Sequence, residues 1–226
     1  MNKPILVDFC LSKDITLSQI QLDQFEKFEN TLYETNQTTN LTRVPQEECT
    51  VRHFIDSLLI VDLIPQNATV LDIGSGPGFP SWPLACARPD IKVLAVDSST
   101  KMAQFLMSQQ LPNLRVKITR AEEFAKREKF DVVTGRAVAP LEIQLELCAA
   151  FCKKGGIVIP FRTPNDKDQI QKQRFELLGL RLEDVIEREL PTTDVMRVFP
   201  VYRKINATPA KYPRPWATIK ASPLRS

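Results

Sequence analysis

The stretch Leu71-Asp72-Ile73-Gly74-Ser75-Gly76-Pro77-Gly78-Phe79 decides the fold. A predicted strand, Val70–Ile73, runs into three closely spaced glycines, and a helix is predicted to begin after Pro80. Glycine lets backbone N–H groups come close to a ligand at such a strand-to-helix turn. The chain has only seven glycines among its 226 residues, well below the roughly 7% of average proteins. A cluster of three therefore indicates a turn that needs them.

Short apolar runs alternate with helical stretches beyond this loop. The further predicted strands are Val93–Val96, Val116–Ile118, Asp131–Val133, Ile157–Ile159 and Arg197–Tyr202. The predicted helices are Thr16–Tyr33, Cys49–Leu63, Trp82–Arg88, Lys101–Gln110, Ala121–Lys129, Leu141–Cys152 and Ile170–Leu178. This alternation predicts an α/β fold with a doubly wound, mostly parallel, Rossmann-like sheet. We expect an N-terminal helical extension over residues 1–65, a core over 66–205 and a proline-rich basic tail over 206–226.

Composition and charge exclude several classes of protein. The chain is 43% hydrophobic and 25% charged, enough for a core and unlike a disordered chain. No apolar run approaches the ~18 residues of a membrane helix, and Met1–Lys13 lacks a signal-peptide pattern. The five cysteines suggest reduced thiols in a cytosol, with Cys49, Cys148 and Cys152 as buried apolar residues on helices. His53 is the only histidine. We expect a cytoplasmic monomer without a membrane or metal partner.

The glycine spacing distinguishes two cofactor classes. Dinucleotide sites prefer G-x-G-x-x-G, which would place a glycine at position 79, where this chain has phenylalanine. The spacing G-x-G-x-G after Asp72 is typical of S-adenosylmethionine (SAM) sites. Asp97 ends the second strand, where a carboxylate can accept both ribose hydroxyls and repels a 2′-phosphate. A NAD site is disfavoured by the spacing, and a turn that only packs a helix on a strand is the other alternative. The predicted contacts of the loop are Gly74, Gly76 and Gly78.

Two further strand ends belong to the same edge of the predicted sheet. Thr119–Glu123 follows the third strand, beside the adenine in SAM enzymes. Gly135 and Arg136 end the fourth strand, where the substrate should meet the sulfonium. Arg136 is therefore a candidate contact for cofactor, substrate or phosphate, since binding residues concentrate in loops at such junctions.

The C-terminal segment is strongly basic. Residues 195–226 hold seven Lys or Arg and no acidic residue, leaving 23 basic against 27 acidic residues in the rest. Cations interleaved with aromatics can neutralise phosphates and stack on bases, but a last strand followed by a surface tail explains the segment equally well. The candidate RNA contacts are Arg203, Lys204, Lys211, Arg214 and Lys220.

Several segments together resemble one family, the bacterial 16S ribosomal RNA guanine-N7 methyltransferases, also called glucose-inhibited division protein B. The matching segments are Asn40–Thr42, Val51–Ser57, Leu71–Pro80, Arg88–Pro89, Asp97–Lys101, Arg120–Glu122, Arg136–Ala139 and Lys154–Gly156. The sequence departs from the family at Ser81 and Ala217, which replace glycines, and at Arg162, which replaces a Lys-Gly pair.

The resemblance implies a SAM-dependent methyltransferase with a seven-stranded sheet that acts on 16S ribosomal RNA or the 30S subunit. Carried over by residue, it implies cofactor contacts at Gly74, Phe79, Ala121, Glu122 and Arg136, with Asp97 on the ribose. Guanine N7 has a free lone pair, so its methylation needs no general base, and alignment should dominate catalysis.

We hypothesise that three side chains, Arg52, His53 and Arg136, position the RNA. Arg52 and Asp56 are four residues apart, so an exposed helix ion pair is the alternative explanation for Arg52. Two alternatives to the whole function also remain: a SAM-dependent methyltransferase with another substrate, and a non-catalytic RNA-binding module.

Overall fold

One seven-stranded sheet runs through the protein, whose computed structural model describes residues 1–124 and 127–224. The strands are β1 (Thr69–Ile73), β2 (Lys92–Asp97), β3 (Leu114–Ile118), β4 (Phe130–Arg136), β5 (Cys152–Phe161), β6 (Leu180–Glu189) and β7 (Met196–Lys204). Their order is β3-β2-β1-β4-β5-β7-β6. The first five strands are parallel, and β7 runs antiparallel to both β5 and β6. The predicted doubly wound, mostly parallel, Rossmann-like sheet is confirmed.

Helices flank the sheet and precede it. They are α1 (Lys3–Leu11), α2 (Gln19–Asn36), α3 (Asp56–Leu58), α4 (Ser81–Ala87), α5 (Thr100–Ser108), α6 (Leu141–Ala149), α7 (Lys167–Lys172) and α8 (Trp216–Ala221). A π-helical turn over Thr50–Ile55 leads directly into α3. Helix α2 begins at a capping box in which the Ser18 hydroxyl and the Gln21 side chain bind each other's backbone N–H groups. No helix in the described ranges is long and apolar enough to cross a membrane.

Several predicted elements differ from the observed ones. The predicted helix Cys49–Leu63 is interrupted, because a π-helical turn separates 3₁₀ and α-helical pieces. The predicted helix Ile170–Leu178 is replaced by α7 and a separate 3₁₀ turn over Glu176–Leu178. Ala121–Glu123 is a 3₁₀ turn, and residues 125 and 126 of the predicted helix there lie outside the described residues.

Three elements, α1, β6 and α8, were not predicted from the sequence at all. Helix α1 has Asn2 as its N-cap and Pro4 in its first turn, a start signal followed by only nine residues. Strand β6 is one of the two edge strands of the sheet and carries six charged residues in its ten. Charged residues protect an exposed edge from pairing with other chains. They also hide the alternating apolar pattern that identifies a strand.

The N-terminal helices pack on the sheet through aromatic side chains. Phe25 and Phe28 of α2 are fully buried and belong to the same apolar cluster as Val70 of β1. The Phe28 ring lies 4.3 Å from the Trp82 ring, centroid to centroid, and 5.6 Å from that of Phe79. Helix α2 is thereby anchored against the helix and loop that follow β1. This contact carries the N-terminal residues to the carboxyl end of the sheet.

The five cysteines contribute to the core. All five thiols are free and buried, and burial raises the pKa of each one, to about 12 at Cys10, Cys86 and Cys152. Burial also raises the pKa of the Cys49 thiol. A thiolate is the nucleophilic form of cysteine. All five therefore serve as small apolar side chains, which the sequence predicted for Cys49, Cys148 and Cys152.

Candidate functional site

The glycine loop joins β1 to α4 and is held by the neighbouring strand. Gly74 adopts a left-handed backbone with φ of 68°. The backbone N–H groups of Gly74 and Ser75 donate to the carbonyl of Val96 at 2.8 and 3.2 Å. The N–H group of Gly76 donates to Asp97 Oδ2 at 2.7 Å. The loop and the predicted ribose carboxylate are therefore joined directly, although 21 residues separate them in the sequence.

A cavity of about 400 Å³ opens beside this loop, at the carboxyl ends of the parallel strands. Ligands bind at this edge in doubly wound sheets. Four predicted cofactor residues line it: Gly74, Asp97, Ala121 and Glu122. Asp97 Oδ1 accepts from Ser99 N at 2.7 Å, and each carboxylate oxygen keeps a lone pair for a further donor. We call this space the first cavity.

The other predicted cofactor residues are not in the lining of the first cavity. Gly76 supplies the backbone contact to Asp97, and a Cβ there would meet only open space. Gly78 serves packing, because a Cβ at this position would lie 2.7 Å from Leu106 Cδ1. Phe79 is buried, and Arg136 lines a neighbouring cavity.

Buried polar atoms beneath the loop suit a ligand that carries hydrogen-bond donors. Asp72 is fully buried, and its Oδ2 accepts from Ser81 N at 3.0 Å. Among the described residues, Asp72 Oδ1 and Ser75 Oγ have no partner. Burial raises the pKa of Asp72 to about 7, although the hydrogen bonding from Ser81 acts to lower it. Such groups are costly without a partner, and the ammonium group of SAM would supply donors. The residues present therefore fit this cofactor.

A second cavity of about 430 Å³ adjoins the first, and the two share Ala137. Ala137 follows β4 and has a left-handed backbone, with φ of 55°. This conformation is uncommon for a residue with a side chain and is often found at functional sites. All three side chains predicted to position RNA line this space: Arg52, His53 and Arg136.

Asp56 holds two arginines of the second cavity in place. Its carboxylate is buried, and it accepts from Arg136 Nη1 and from Arg197 Nε, both at 2.7 Å. The alternative explanation of an exposed Arg52–Asp56 pair is wrong. Arg52 instead pairs with the exposed carboxylate of Glu48. Asp56 is unavailable to Arg52, because its buried carboxylate is already occupied by Arg136 and Arg197.

His53 is held between an aromatic ring and two polar neighbours. Its ring stacks on Phe79 at 4.1 Å between centroids, with an interplanar angle of 6°. Nδ1 lies 3.2 Å from Arg136 Nη2, and Nε2 lies 2.7 Å from Thr42 Oγ1. Arginine can only donate, so Nδ1 accepts and Nε2 carries the proton. Burial, supported by the charge of Arg136, lowers the pKa of His53 to about 3. The imidazole is neutral and both its nitrogens are engaged.

The basic C-terminal residues divide into three kinds. Lys204 is buried, and its Nζ donates to the carbonyls of Ala149 and Leu178, so burial lowers its pKa to about 8. The prediction that Lys204 contacts RNA is therefore wrong, because its ammonium group is buried and hydrogen-bonded inside the fold. Arg203 pairs with Glu183, and Arg214 pairs with Glu146. Lys211 and Lys220 are exposed. Arg225 lies outside the described residues.

Sequence reasoning missed four contributors to the two cavities. Thr42 accepts from Nε2 of His53, Arg197 pairs with Asp56, and Trp216 lines the first cavity. Arg162 lines the second, and it is buried with Nη1 donating to the carbonyl of Ala139 at 3.0 Å. Thr42 belongs to a segment that matched the family, which was a usable signal. The other three come from distant parts of the chain, and no local pattern indicated them.

The sequence matches one known protein family over most of its length. Residues 21–191 match the protein family described as GidB, rRNA small subunit methyltransferase G. The chain belongs to this family. A curated family member from Caldanaerobacter subterraneus, named Ribosomal RNA small subunit methyltransferase G, is 39% identical over 232 positions covering 97% of each chain. One of the same name from Bacillus subtilis is 37% identical, covering 94% of each chain.

Solved structures agree on the fold. M. jannaschii TYW2, determined in complex with AdoMet, has a TM-score of 0.55 at 18% identity, covering 66% of this chain and 75% of that one. A chain in the complex between the Haloferax volcanii Trm112 methyltransferase activator and the putative methyltransferase has a TM-score of 0.57 at 14% identity, covering 79% of this chain and 98% of that one. Membership of the rRNA small subunit methyltransferase G family confirms the predicted family and, with it, the predicted SAM-dependent rRNA methyltransferase.

Proposed function

We propose that this family member transfers the methyl group of SAM, bound in the first cavity, to N7 of a guanine of 16S ribosomal RNA seated in the second. One observation carries the proposal: the glycine-loop cavity and the arginine-lined cavity meet at Ala137. A methyl donor and its acceptor must come together at such a boundary, since alignment of the two reacting atoms lowers the barrier most.

The cofactor side is built from backbone and carboxylates. We assign the amino acid part of SAM to the loop from Gly74 to Gly78 with Asp72 beneath it, and the ribose to Asp97. Ala121 and Glu122 line the end of the cavity at β3. SAM supplies an electrophilic methyl group on a positive sulfonium. The protein's part is to hold that group in one orientation.

The acceptor side needs no general base. N7 of guanine is an unprotonated acceptor in the major groove, so no proton has to leave before attack. His53 fits this requirement, because it is neutral and both ring nitrogens already have partners. We assign Arg136, Arg52 and His53 to positioning the RNA, with Asp56 fixing the direction of Arg136.

The remaining assignments complete the proposal. The exposed cations Lys211 and Lys220 contact phosphates, whereas Arg203 and Arg214 are engaged by Glu183 and Glu146. The substrate is 16S rRNA or the 30S subunit in the cytoplasm, and the enzyme acts as a monomer. Residues 1–65 form the extension that shapes the second cavity, 66–205 the SAM-binding core and 206–226 the tail.

Transfer of labelled methyl from SAM to 30S subunits from a strain lacking this gene tests the function. The expected result is one 7-methylguanosine in 16S rRNA, found by mass spectrometry of the digested product. Methylation of a different base, or of a small molecule only, would contradict the proposed substrate. SAM binding without any methyl transfer would favour a non-catalytic binding module.

Arg136→Ala tests the assignment to the acceptor side. Misplacement of a reacting group by about 1 Å can cost ~100-fold in rate, so we expect that loss in methyl transfer with the Kd for SAM changed less than about threefold. A matching loss of SAM affinity by calorimetry would move Arg136 to the cofactor side.

A further inference from the structure

The C-terminal segment is anchored beside Arg127, which precedes β4, and continues from there along α6. Arg127 donates from Nη2 to the carbonyl of Thr208 at 2.9 Å and from Nη1 to that of Tyr212 at 2.6 Å. Tyr212 itself is buried. The segment that the sequence presented as a tail is therefore tied to the body from its first residues. We call residues 208–221 the strap.

A buried ion pair fixes the middle of the strap. Glu146 of α6 is fully buried, and its carboxylate accepts from the backbone N, Nε and Nη2 of Arg214 at 3.0, 2.8 and 2.6 Å. The hydrogen bonds that Arg214 donates to Glu146 raise the pKa of Arg214. Breaking such a pair leaves an uncompensated buried charge, which is strongly unfavourable. Arg214 is thus an anchor, and the residues that follow it have a defined position.

The anchored strap delivers one aromatic ring to the first cavity. Ile219 of α8 is fully buried against Ile143 and Leu147 of α6. Trp216, one turn earlier, is half-buried and lines the first cavity with Ala121 and Leu147. The Arg120 guanidinium lies 5.4 Å from the Trp216 ring centroid. This contact locates the ring at the β3 end of the cavity.

The strand order decides which part of the cofactor meets this ring. β1 ends in the glycine loop, β2 ends in Asp97 and β3 is followed by Arg120 and Ala121, so the three ends lie in a row. The ribose is the middle part of SAM, and its carboxylate partner is in the middle of this row. With the amino acid part on the glycine loop, the base extends towards β3.

We propose that Trp216 is a cofactor-binding residue that forms the outer wall of the adenine site, so that the strap completes the SAM pocket. The inference rests on the proposed location of SAM and deepens it. A purine is a flat aromatic ligand, and packing a base against an aromatic side chain contributes about 1–3 kcal/mol. An indole ring held by the strap is preorganised for this contact.

Two substitutions at Trp216 test the proposal by calorimetry with SAM. Trp216→Ala should raise the Kd about tenfold, whereas Trp216→Phe keeps an aromatic face and should stay within about threefold of the wild type. Thr218→Ala, at an exposed residue of the same helix, is the matched control and should leave the Kd for SAM unchanged. Circular dichroism verifies that each variant is folded.

Tryptophan fluorescence gives a readout that a merely structural role would not move. The chain has two tryptophans, and Trp82 is buried away from the cavity lining. SAM should shield Trp216 from acrylamide in the wild type, and this protection should vanish in Trp216→Phe, which leaves Trp82 alone. Adenosine should also protect the ring, whereas methionine should not.

The outcomes separate the inference from the function beneath it. The adenine wall would be overturned if Trp216→Ala bound SAM with wild-type affinity and SAM did not protect Trp216 of the wild-type protein from acrylamide. The methyltransferase proposal would still stand. Protection by methionine instead of adenosine would overturn the orientation. No SAM binding by the wild-type protein would overturn the cofactor proposal and this inference together.

Discussion

At the scale of single residues, buried charges and hydrogen bonds make the second cavity rigid. Asp56 forms ion pairs with Arg136 and Arg197. His53 accepts a hydrogen bond from Arg136 and donates one to Thr42. Each group satisfies another, so a change at one position leaves a partner unpaired. Buried polar groups in such networks are far more sensitive to substitution than exposed pairs.

His53 should make folding stability depend on pH. Its pKa falls from 6.5 to about 3 on folding, so below pH 6.5 the unfolded chain binds a proton that the folded protein refuses. Stability should therefore fall as the pH drops from about 6.5 towards 3, by at most ~1.4 kcal/mol per pH unit. Urea unfolding of wild type and His53→Gln over this range measures the difference.

The comparison with His53→Gln is needed because the titration of Asp72 changes stability with pH in the opposite direction. Its pKa rises to about 7 on folding, so its contribution is largest below 3.8 and declines as the pH rises towards 7. Subtracting the variant's curve cancels this contribution. Parallel curves for the two proteins would show that His53 titrates normally in the folded state.

Asp56 should be worth far more to stability than the neighbouring carboxylate Glu48. Asp56→Ala leaves Arg136 and Arg197 without their buried partner, and we expect a loss of about 3 kcal/mol. Glu48→Ala removes an exposed pair with Arg52 and should cost under ~1 kcal/mol. Equal free energies of unfolding for the two variants, from urea titrations, would contradict the role given to Asp56.

At the scale of elements, the packing of β4 depends on a residue without a side chain. A Cβ at Gly135 would lie 2.6 Å from the carbonyl oxygen of Ile73 and 2.9 Å from Gln144 Nε2. The first of these is backbone of the neighbouring strand and cannot turn away. Gln144 also donates to the Gly135 carbonyl at 2.8 Å, which ties α6 to the strand end. β1, β4 and α6 therefore meet at this glycine.

Gly135→Ala should destabilise the protein by about 2 kcal/mol or more, because overpacking a rigid contact costs roughly 1–3 kcal/mol. Gly155→Ala is the matched control. Gly155 has open space around it but a φ of 84°, so the cost there should be about 1 kcal/mol from the backbone alone. Urea titrations compare the two, and a cost at Gly155 equal to that at Gly135 would refute the close contact.

At the scale of the whole molecule, the basic C-terminal segment serves two purposes at once. Its buried or paired cations, Lys204 and Arg214, anchor the chain, whereas its exposed lysines are available to a polyanion. The surplus of positive charge seen in the sequence is thus partly consumed inside the fold. RNA affinity should depend on the remainder.

The double variant Lys211→Ala/Lys220→Ala should weaken 16S rRNA binding and flatten its dependence on salt. Each lost phosphate contact should reduce the slope of log K against log salt by roughly 0.7–0.9. Arg203→Ala removes the same kind of charge from a residue already paired with Glu183 and should change the slope less. Filter binding over a salt series decides, and an unchanged slope in the double variant would remove both lysines from the RNA surface.

The local pattern of the sequence was enough for the fold class and for half of the cofactor site. Short apolar runs alternating with helices imply a parallel sheet whatever the details, and a glycine loop after the first strand implies a ligand at that edge. Asp97 was found because it ends the next strand, which the same pattern locates. These features depend on neighbours in sequence, so they can be read from the sequence.

Only the tertiary structure decided which charges meet. Asp56 pairs with arginines 80 and 141 residues away, and Arg214 with a glutamate 68 residues away. Arg52 pairs with Glu48 instead of Asp56, and the strap brings Trp216 to the cofactor cavity. Such pairings depend on strand order and burial, because a buried charge is stable only where the fold supplies its partner. The sequence determined the sheet and its loop, and packing determined the site around them.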